Sequence, residues 1–314
     1  MEEQIVCFLD LLGFSQCVED NIQSAKSKLL NYNSTISNLK FIENRQNISD
    51  NKYSNRSLAT TFKYFIPASD SIFISSDINN VVYKEIEDIN LFIMQLCMFL
   101  YDSYCFTSGK YENPNNSNEA TEGEQIFINS KTKQPEIGTT TYSPCLFRGG
   151  LSIGECEEIK QLRIINYQLT EDCCNLAGKA VADAVHLEGI VDGPRIVICE
   201  DDYNRFDQNI KQCYFRKIEK KELKKDVQKT DKIFYELLWP AIAFFKANGI
   251  DQDLKNLDST LRGAYNLWKS KSNLKAKKHY KAFIDLIYNS ILYFWNHDKK
   301  AENHVTELKN KYII

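Results

Sequence analysis

IVCFLDLLGF, residues 5–14, decides how the rest of the chain is read. Its first five residues are apolar without alternation, the pattern of a strand buried on both faces. The run then stops on Asp10 and turns through Gly13. A carboxylate at the end of a buried strand is costly unless something pairs with it. A metal ion would answer that need. So would the start of a following helix, which Asp10 could cap. The ten residues leave both answers open.

Outward from this strand, residues 16–42 carry spaced apolar positions and are expected to be helical, and the polar stretch 43–58 a loop. In FKYFIPASDSIFISS, 62–76, two β-rich runs flank Pro67-Ala68-Ser69-Asp70, so a hairpin is expected with Asp70 at its tip. Residues 85–105 read as a buried helix, and 107–143 as a polar surface insertion holding at most a small hairpin. PCLFRGGLSIGE, 144–155, reads as a strand, and CCNLAGKAVADAVHLEG, 173–189, as a helix with Ala177, Val181, Ala184 and Val185 on one stripe. RIVICE, 195–200, and QCYFRKIEKK, 212–221, are expected strands. From about 228 the pattern is helical and aromatic. The order β–α–hairpin–α–β–α–β–β followed by helices predicts an α/β (α+β) sandwich with a largely antiparallel sheet. The expected division is residues 1–225 as one domain, with 107–143 inserted, and 226–314 as a helical C-terminal region.

Bulk properties narrow the function. The 314 residues are 43% hydrophobic and 26% charged, with net charge −3, which gives no electrostatic case for nucleic acid or membrane as partner. The Lys-rich runs 216–232 and 269–278 alternate with acidic or polar residues and read as solvated helix face and linker. Ten cysteines form no C-x-x-C pair, and Cys7, Cys97 and Cys199 lie in apolar runs. They are expected to be buried thiols in a reducing, cytoplasmic setting. MEEQIVCFLD lacks the positive region of a signal peptide. No apolar stretch approaches the ~18 residues of a membrane helix.

Asp10 and Asp70 are the candidate chemistry. Adjacent strand ends of an antiparallel sheet can bring two carboxylates together. Two carboxylates plus substrate phosphates suit Mg²⁺ or Mn²⁺ where the protein offers no complete cage. Two such ions about 3.5–4 Å apart activate one phosphate-ester oxygen and steady the leaving group. The LLGF turn could present backbone N–H groups to phosphates. Taken singly, Asp70 could be only a turn residue and Asp10 only a cap.

Four segments in order, VCFLDLLGFS, ASDSIFISS, RGGLSIGE and NLAGKAVADAVHLEG, resemble the class III nucleotidyl cyclases. Those enzymes show a strand ending in Asp before a Gly-Phe turn, a hairpin carrying a second Asp, an R-x-G-I strand and a helix like GDAVNLAARLE. The resemblance covers about residues 4–200. FLDLLGF and SDSI look most like bacterial pyrimidine (uridylate or cytidylate) cyclases of the Pycsar antiphage system. The resemblance implies a cyclase-like, palm-type sheet with flanking helices and a cytoplasmic homodimer whose active site forms between two chains. It makes Asp10 and Asp70 the ligands of two Mg²⁺ or Mn²⁺ ions, with the Leu11 carbonyl assisting. It would have the amides of Leu12, Gly13 and Phe14 hold the triphosphate. The implied reaction turns a nucleoside triphosphate into a 3′,5′-cyclic monophosphate and pyrophosphate, the product a second messenger in antiviral defence.

The pattern also breaks. The family's transition-state Asn falls on Ala182 and its Arg on His186. A protonated His186 could substitute as a weaker, pH-dependent donor, or it could be an ordinary helix histidine. Arg148 and Lys179 are other cations in reach of phosphate by sequence. Arg148 could equally pair with an acid at a strand start, and Lys179 could be an exposed helix lysine. The positions that choose the base in the family fall on Ile66 and Asn175, which fit neither purine pattern. An amide both donates and accepts, so Asn175 could read uracil or cytosine, giving UTP ahead of CTP, or it could cap a helix. Phe62 and Tyr64 could stack on a pyrimidine or belong to the sheet core. A non-catalytic nucleotide- or partner-binding module of the same fold is the competing expectation. A palm-like enzyme making a linear or cyclic oligonucleotide is a third.

Overall fold

The computed structural model describes residues 2–20, 22, 25, 26, 28–32, 62–78, 81–83, 86–108, 122–128, 132, 134–141, 144–165, 168–244 and 250–312. The opening run is strand β1, Glu2–Leu11. Ile5, Cys7, Leu9 and Leu11 point to one face and are all but inaccessible; Val6, Phe8 and Asp10 point to the other. β1 needs no polar face because it lies in mid-sheet, between β3, Ser71–Asp77, and β8, Phe147–Ile165, antiparallel to both.

The main sheet runs β11-β12-β10-β8-β1-β3-β2, where β2 is Tyr64–Ala68, β10 Ile196–Cys199, β11 Phe215–Lys217 and β12 Phe234–Leu237. Only the β8–β10 pairing along this order is parallel. β9, Gln168–Ala177, pairs with the outer half of β8. Short hairpins β4–β5, Val81–Tyr83 with Ile86–Glu87, and β6–β7, Glu122–Ile128 with Pro135–Thr141, stand apart. The second of these is the hairpin expected inside the insertion.

One face of the sheet carries the larger core. Ile5, Cys7, Leu9, Ile72, Ile74 and Leu151 pack with Phe92, Leu96 and Phe99 of helix α2, Asp88–Ser108. The same core takes in the 3-10 segment Trp239–Phe244 and the C-terminal helices. The other face carries helix α3, Lys179–Glu188, seated on Val6 and Cys156 through Ala180 and Ala184. That seat requires Gly150. A Cβ there would lie 2.0 Å from the Ala184 carbonyl and 2.5 Å from the Leu187 Cβ. Gly150→Ala is therefore expected to cost at least about 1–3 kcal/mol by lifting α3, read as a lower urea midpoint at unchanged slope.

The remaining helices are α1, Phe14–Asp20; α4, Glu200–Tyr203; α5, Gln208–Tyr214; α6, Ile250–Asp253; α7, Asp258–Ser270; α8, Leu274–Phe294; and α9, Lys299–Lys311. The α/β sandwich, its largely antiparallel sheet and the helices after residue 250 are as the sequence predicts. Among the described residues no helix is long and apolar enough to cross a membrane. Residues 28–32 continue the helical reading of 16–42; its end and the loop at 43–58 lie outside the described residues.

Four expectations are corrected. The helix read over 173–189 begins only at Lys179, because Gly178 at φ 142° breaks the chain there; 173–177 belong to β9, where Leu176 is buried between exposed Asn175 and Ala177. Asn175 is thus a strand residue, not a helix cap. The strand read over 212–221 is Phe215–Lys217 alone, since Ile210 and Tyr214, four apart, anchor α5 instead. The strand begun at 144–155 runs on to Ile165. The stretch read as helical from 226 contains β12, too short to show a period, which joins the sheet between β10 and β11.

β12 also holds a buried charge network. Arg216 donates from Nε to Glu236 at 2.6 Å and, in a fork, to Glu222 at 3.0 and 2.9 Å. Arg195 pairs with Glu236 from the other side. Glu236 is 1% exposed, so its carboxylate is balanced entirely by these two guanidinium groups.

Candidate active site

The register of the central strands builds the site. Asp10 of β1 lies opposite Ser71 of β3 and Arg148 of β8. Asp70 is the second residue of the two-residue turn joining β2 to β3, and its carbonyl accepts the Leu11 N–H at 3.0 Å. The two aspartates therefore stand at adjoining strand ends, one residue out of register. Both are half-buried.

Asp10 is held on both oxygens. Ser71 Oγ donates to Oδ1 at 3.2 Å, and Arg148 donates from Nε and Nη2 to Oδ2 at 3.1 and 3.0 Å. Arg148 also pairs with Glu188, the last residue of α3. Burial pushes the Glu188 carboxyl up; Arg148 opposes this and the Asp10 charge adds to it. Of the two sequence readings of Arg148, pairing with an acid is the one the structure shows.

After Asp10 the chain turns tightly, with Gly13 at φ 74°, and Phe14 opens α1. The Leu12 N–H donates to the Leu146 carbonyl at 2.8 Å, so this amide, expected to bind phosphate, is already committed. Gly13 and Phe14 lie where helix N–H groups lack an intrahelical acceptor. Beneath the turn, the buried Lys28 ammonium donates to the Leu12 carbonyl, and a Cβ on Gly13 would come to 3.4 Å from it. Burial lowers the Lys28 pKa, while Cys17, Cys145 and Asp10 act to raise it. Sequence reasoning missed Lys28, one lysine in a helix full of polar residues. Lys28→Ala would strand a buried carbonyl and is expected to cost about 1–3 kcal/mol, seen as a lower thermal midpoint.

A cavity of about 240 Å³ opens on this turn. Asp10 to Gln16, Glu19 and Arg148 line one side; Asn273, Lys275, Ala276 and His279, at the start of α8, line the other. Leu11 is on its wall, whereas Asp70 is not among the residues that line it.

The other expected site residues lie elsewhere. His186 and Ala182 are exposed on α3 and do not line this cavity. Lys179 makes a solvent-facing pair with Asp183 one turn along. Asn175 is exposed on β9, its Oδ1 accepting the Leu176 N–H at 2.9 Å. Ile66 and Tyr64 are half-buried and pack at the Val6–Leu176 cluster beside α3, with Phe8 and Phe73. Phe62 is core: it meets Phe92 edge-on at 5.3 Å.

Among the described residues no group of three or more His, Cys, Asp or Glu could hold a metal ion by itself. Asp10 and Asp70 offer hard oxygen donors only. That donor set fits a cation of the Mg²⁺ or Mn²⁺ type, which retains water and takes further oxygens from a phosphate ligand. Any such ion must compete with Arg148 for Asp10.

The sequence matches no protein-family model and none of the curated proteins. Among solved structures similar to it is one described as a structural analysis of adenylate cyclases from Trypanosoma brucei in their monomeric state. The match has TM-score 0.34 and 11% identity over 76% of this chain and 88% of that one. At that score the likeness carries no weight on activity.

Proposed function

From the paired strand ends that carry Asp10 and Asp70, we propose that the chain is a metal-dependent nucleotidyl cyclase acting on a pyrimidine nucleoside triphosphate, UTP ahead of CTP. The observation that carries this reading is the β1–β3 register, which sets Asp70 beside Leu11 at the same strand end whose Asp10 lines a cavity floored by a glycine turn. The four cyclase-like segments support it. Two divalent cations bound there would lower the pKa of the ribose 3′-hydroxyl and neutralise the departing pyrophosphate. The chain's own contributions are positional. Ser71 and Arg148 fix the Asp10 carboxylate, and Glu188 offers Arg148 a second acid when a ligand claims Asp10. The buried Lys28 holds the turn from beneath by donating to the Leu12 carbonyl. The preference for a pyrimidine rests on Ile66 and Asn175 by resemblance. So do the homodimer that would complete the site and a role in antiviral signalling.

The engagement of both Asp10 oxygens by Ser71 and Arg148, with Ala182 and His186 remote, favours a second reading: a nucleotide-binding module without turnover. Incubation with each of ATP, GTP, CTP and UTP plus Mn²⁺, with products identified by mass, separates the two. A cyclic monophosphate from one pyrimidine is the expected result. Tight binding of one nucleotide with no product supports the module instead.

A further inference from the structure

The cavity at Asp10 has two walls, and the resemblance speaks to only one of them. The far wall comes from the start of α8, more than two hundred and fifty residues along the chain from the Gly13 turn. We propose that this turn of α8 is a polyphosphate-binding wall, in which Lys275 and His279 contact the anionic ligand across from the Gly13 turn. The proposal deepens the nucleotide reading and rests on it for the identity of the natural ligand.

Three observations support it. First, Lys275 and His279 are four apart, so they share one face of α8, and both line the cavity. Second, their polar groups are uncommitted among the described residues. Lys278, the residue before His279, pairs with Asp192, whereas Lys275 has no acidic partner among the described residues; His279 has a buried Nδ1 without a hydrogen-bond partner. Third, the helix's own first amides are not the donors. Asn273 Oδ1 accepts from the N–H groups of Lys275 at 2.8 Å and Ala276 at 3.4 Å, which leaves the side chains to meet a ligand.

The electrostatics agree. Burial lowers the His279 pKa; Asp192 opposes this, and Arg148, Lys275 and Lys278 reinforce it. The cavity's own acids are Asp10, already paired with Arg148, and Glu19 at the rim. An imidazole whose pKa is lowered among cations is one whose proton affinity rises when an anion arrives. α8 would thus supply the cation that α3, with exposed His186 in the Arg position of the resemblance, does not bring to this cavity.

The test uses inorganic tripolyphosphate and the full chain, by titration calorimetry in two buffers of different ionisation enthalpy. Lys275→Ala is expected to weaken binding about tenfold or more, as loss of a charge-assisted contact does, while Lys275→Arg stays within about threefold. The parent chain is expected to take up protons on binding, and His279→Gln to reduce that uptake. Lys255→Ala, an exposed lysine on another segment, controls for general charge. Absence of binding by the parent chain, or equal weakening by Lys275→Ala and Lys255→Ala, overturns the proposal. No nucleotide is involved, so the two readings separate. A chain that binds through Lys275 yet makes no cyclic product keeps this wall and loses the cyclase. Normal product from Lys275→Ala with unchanged tripolyphosphate binding does the reverse.

Discussion

Asp70→Ala is expected to reduce cyclic-nucleotide formation below detection while leaving the fold intact. The fold should survive because the turn's structural contact is made by the Asp70 carbonyl, not its side chain: the Leu11 N–H donates there, and alanine keeps it. The side chain is half-exposed at the turn, so its removal opens no cavity in the core. Activity should not survive. Loss of an outer-shell partner of a catalytic metal already costs about 10–100-fold, and Asp70 would be a direct ligand. Asp10→Ala is the less clean companion, since it also leaves Arg148 with Glu188 alone. A melting curve unchanged from the parent, beside turnover lost by more than about a hundredfold, is the expected pair of results. Undiminished turnover would remove Asp70 from the chemistry and the two-carboxylate site with it.

The second large effect concerns stability. Glu236→Ala is expected to cost about 3–5 kcal/mol, because it leaves Arg195 and Arg216 buried with only Glu222 between them. Urea denaturation should show a fall in midpoint of that size; a loss under about 1 kcal/mol would mean the network is open to water. The network also sets an acid limit. Burial pushes the Glu222 carboxyl up, but the Arg216 hydrogen bonds and the Arg195 and Arg216 charges more than reverse it, so its pKa is lowered. Glu222 therefore stabilises the fold above the ordinary carboxylate range. That contribution is lost as pH falls from there through the lowered pKa. Glu222→Gln should flatten the pH dependence of stability over this acid window.

The sequence made the centre of the molecule legible and its margins less so. β1 announced itself because an unbroken apolar run has few alternatives, and the β2–β3 hairpin because Pro67 to Asp70 is turn chemistry. One inner strand was illegible: Phe234–Leu237, between β10 and β11, is four residues long and carries Glu236 inward, against every pattern used to find strands. The helix at 179–188 was found but begun too early, since Ala177 continues its stripe across Gly178. In the site, Asp10 and Asp70 could be paired from the expected strand ends together with the resemblance. Arg148 could be named but not assigned, as its partner Glu188 is a matter of how α3 lies on β8. Lys28, Lys275 and His279 carry no local signal. Lys28 reaches the turn only through the Leu12 carbonyl, and Lys275 and His279 come near Asp10 only when the first turn and the start of α8 close on one cavity.

The position of β1 has a consequence for synthesis. Strand β1 lies mid-sheet, and its flanking partners follow it late: Ser71 lies 61 residues after Asp10 and Arg148 lies 138. A nascent chain emerging at about 5–20 residues per second holds this apolar strand unpaired for seconds before β8 exists. The cavity gains its second wall only once α8 has left the ribosome. Chains stalled before that point would present an unpaired apolar strand and an incomplete pocket, so unfinished copies should depend on chaperones.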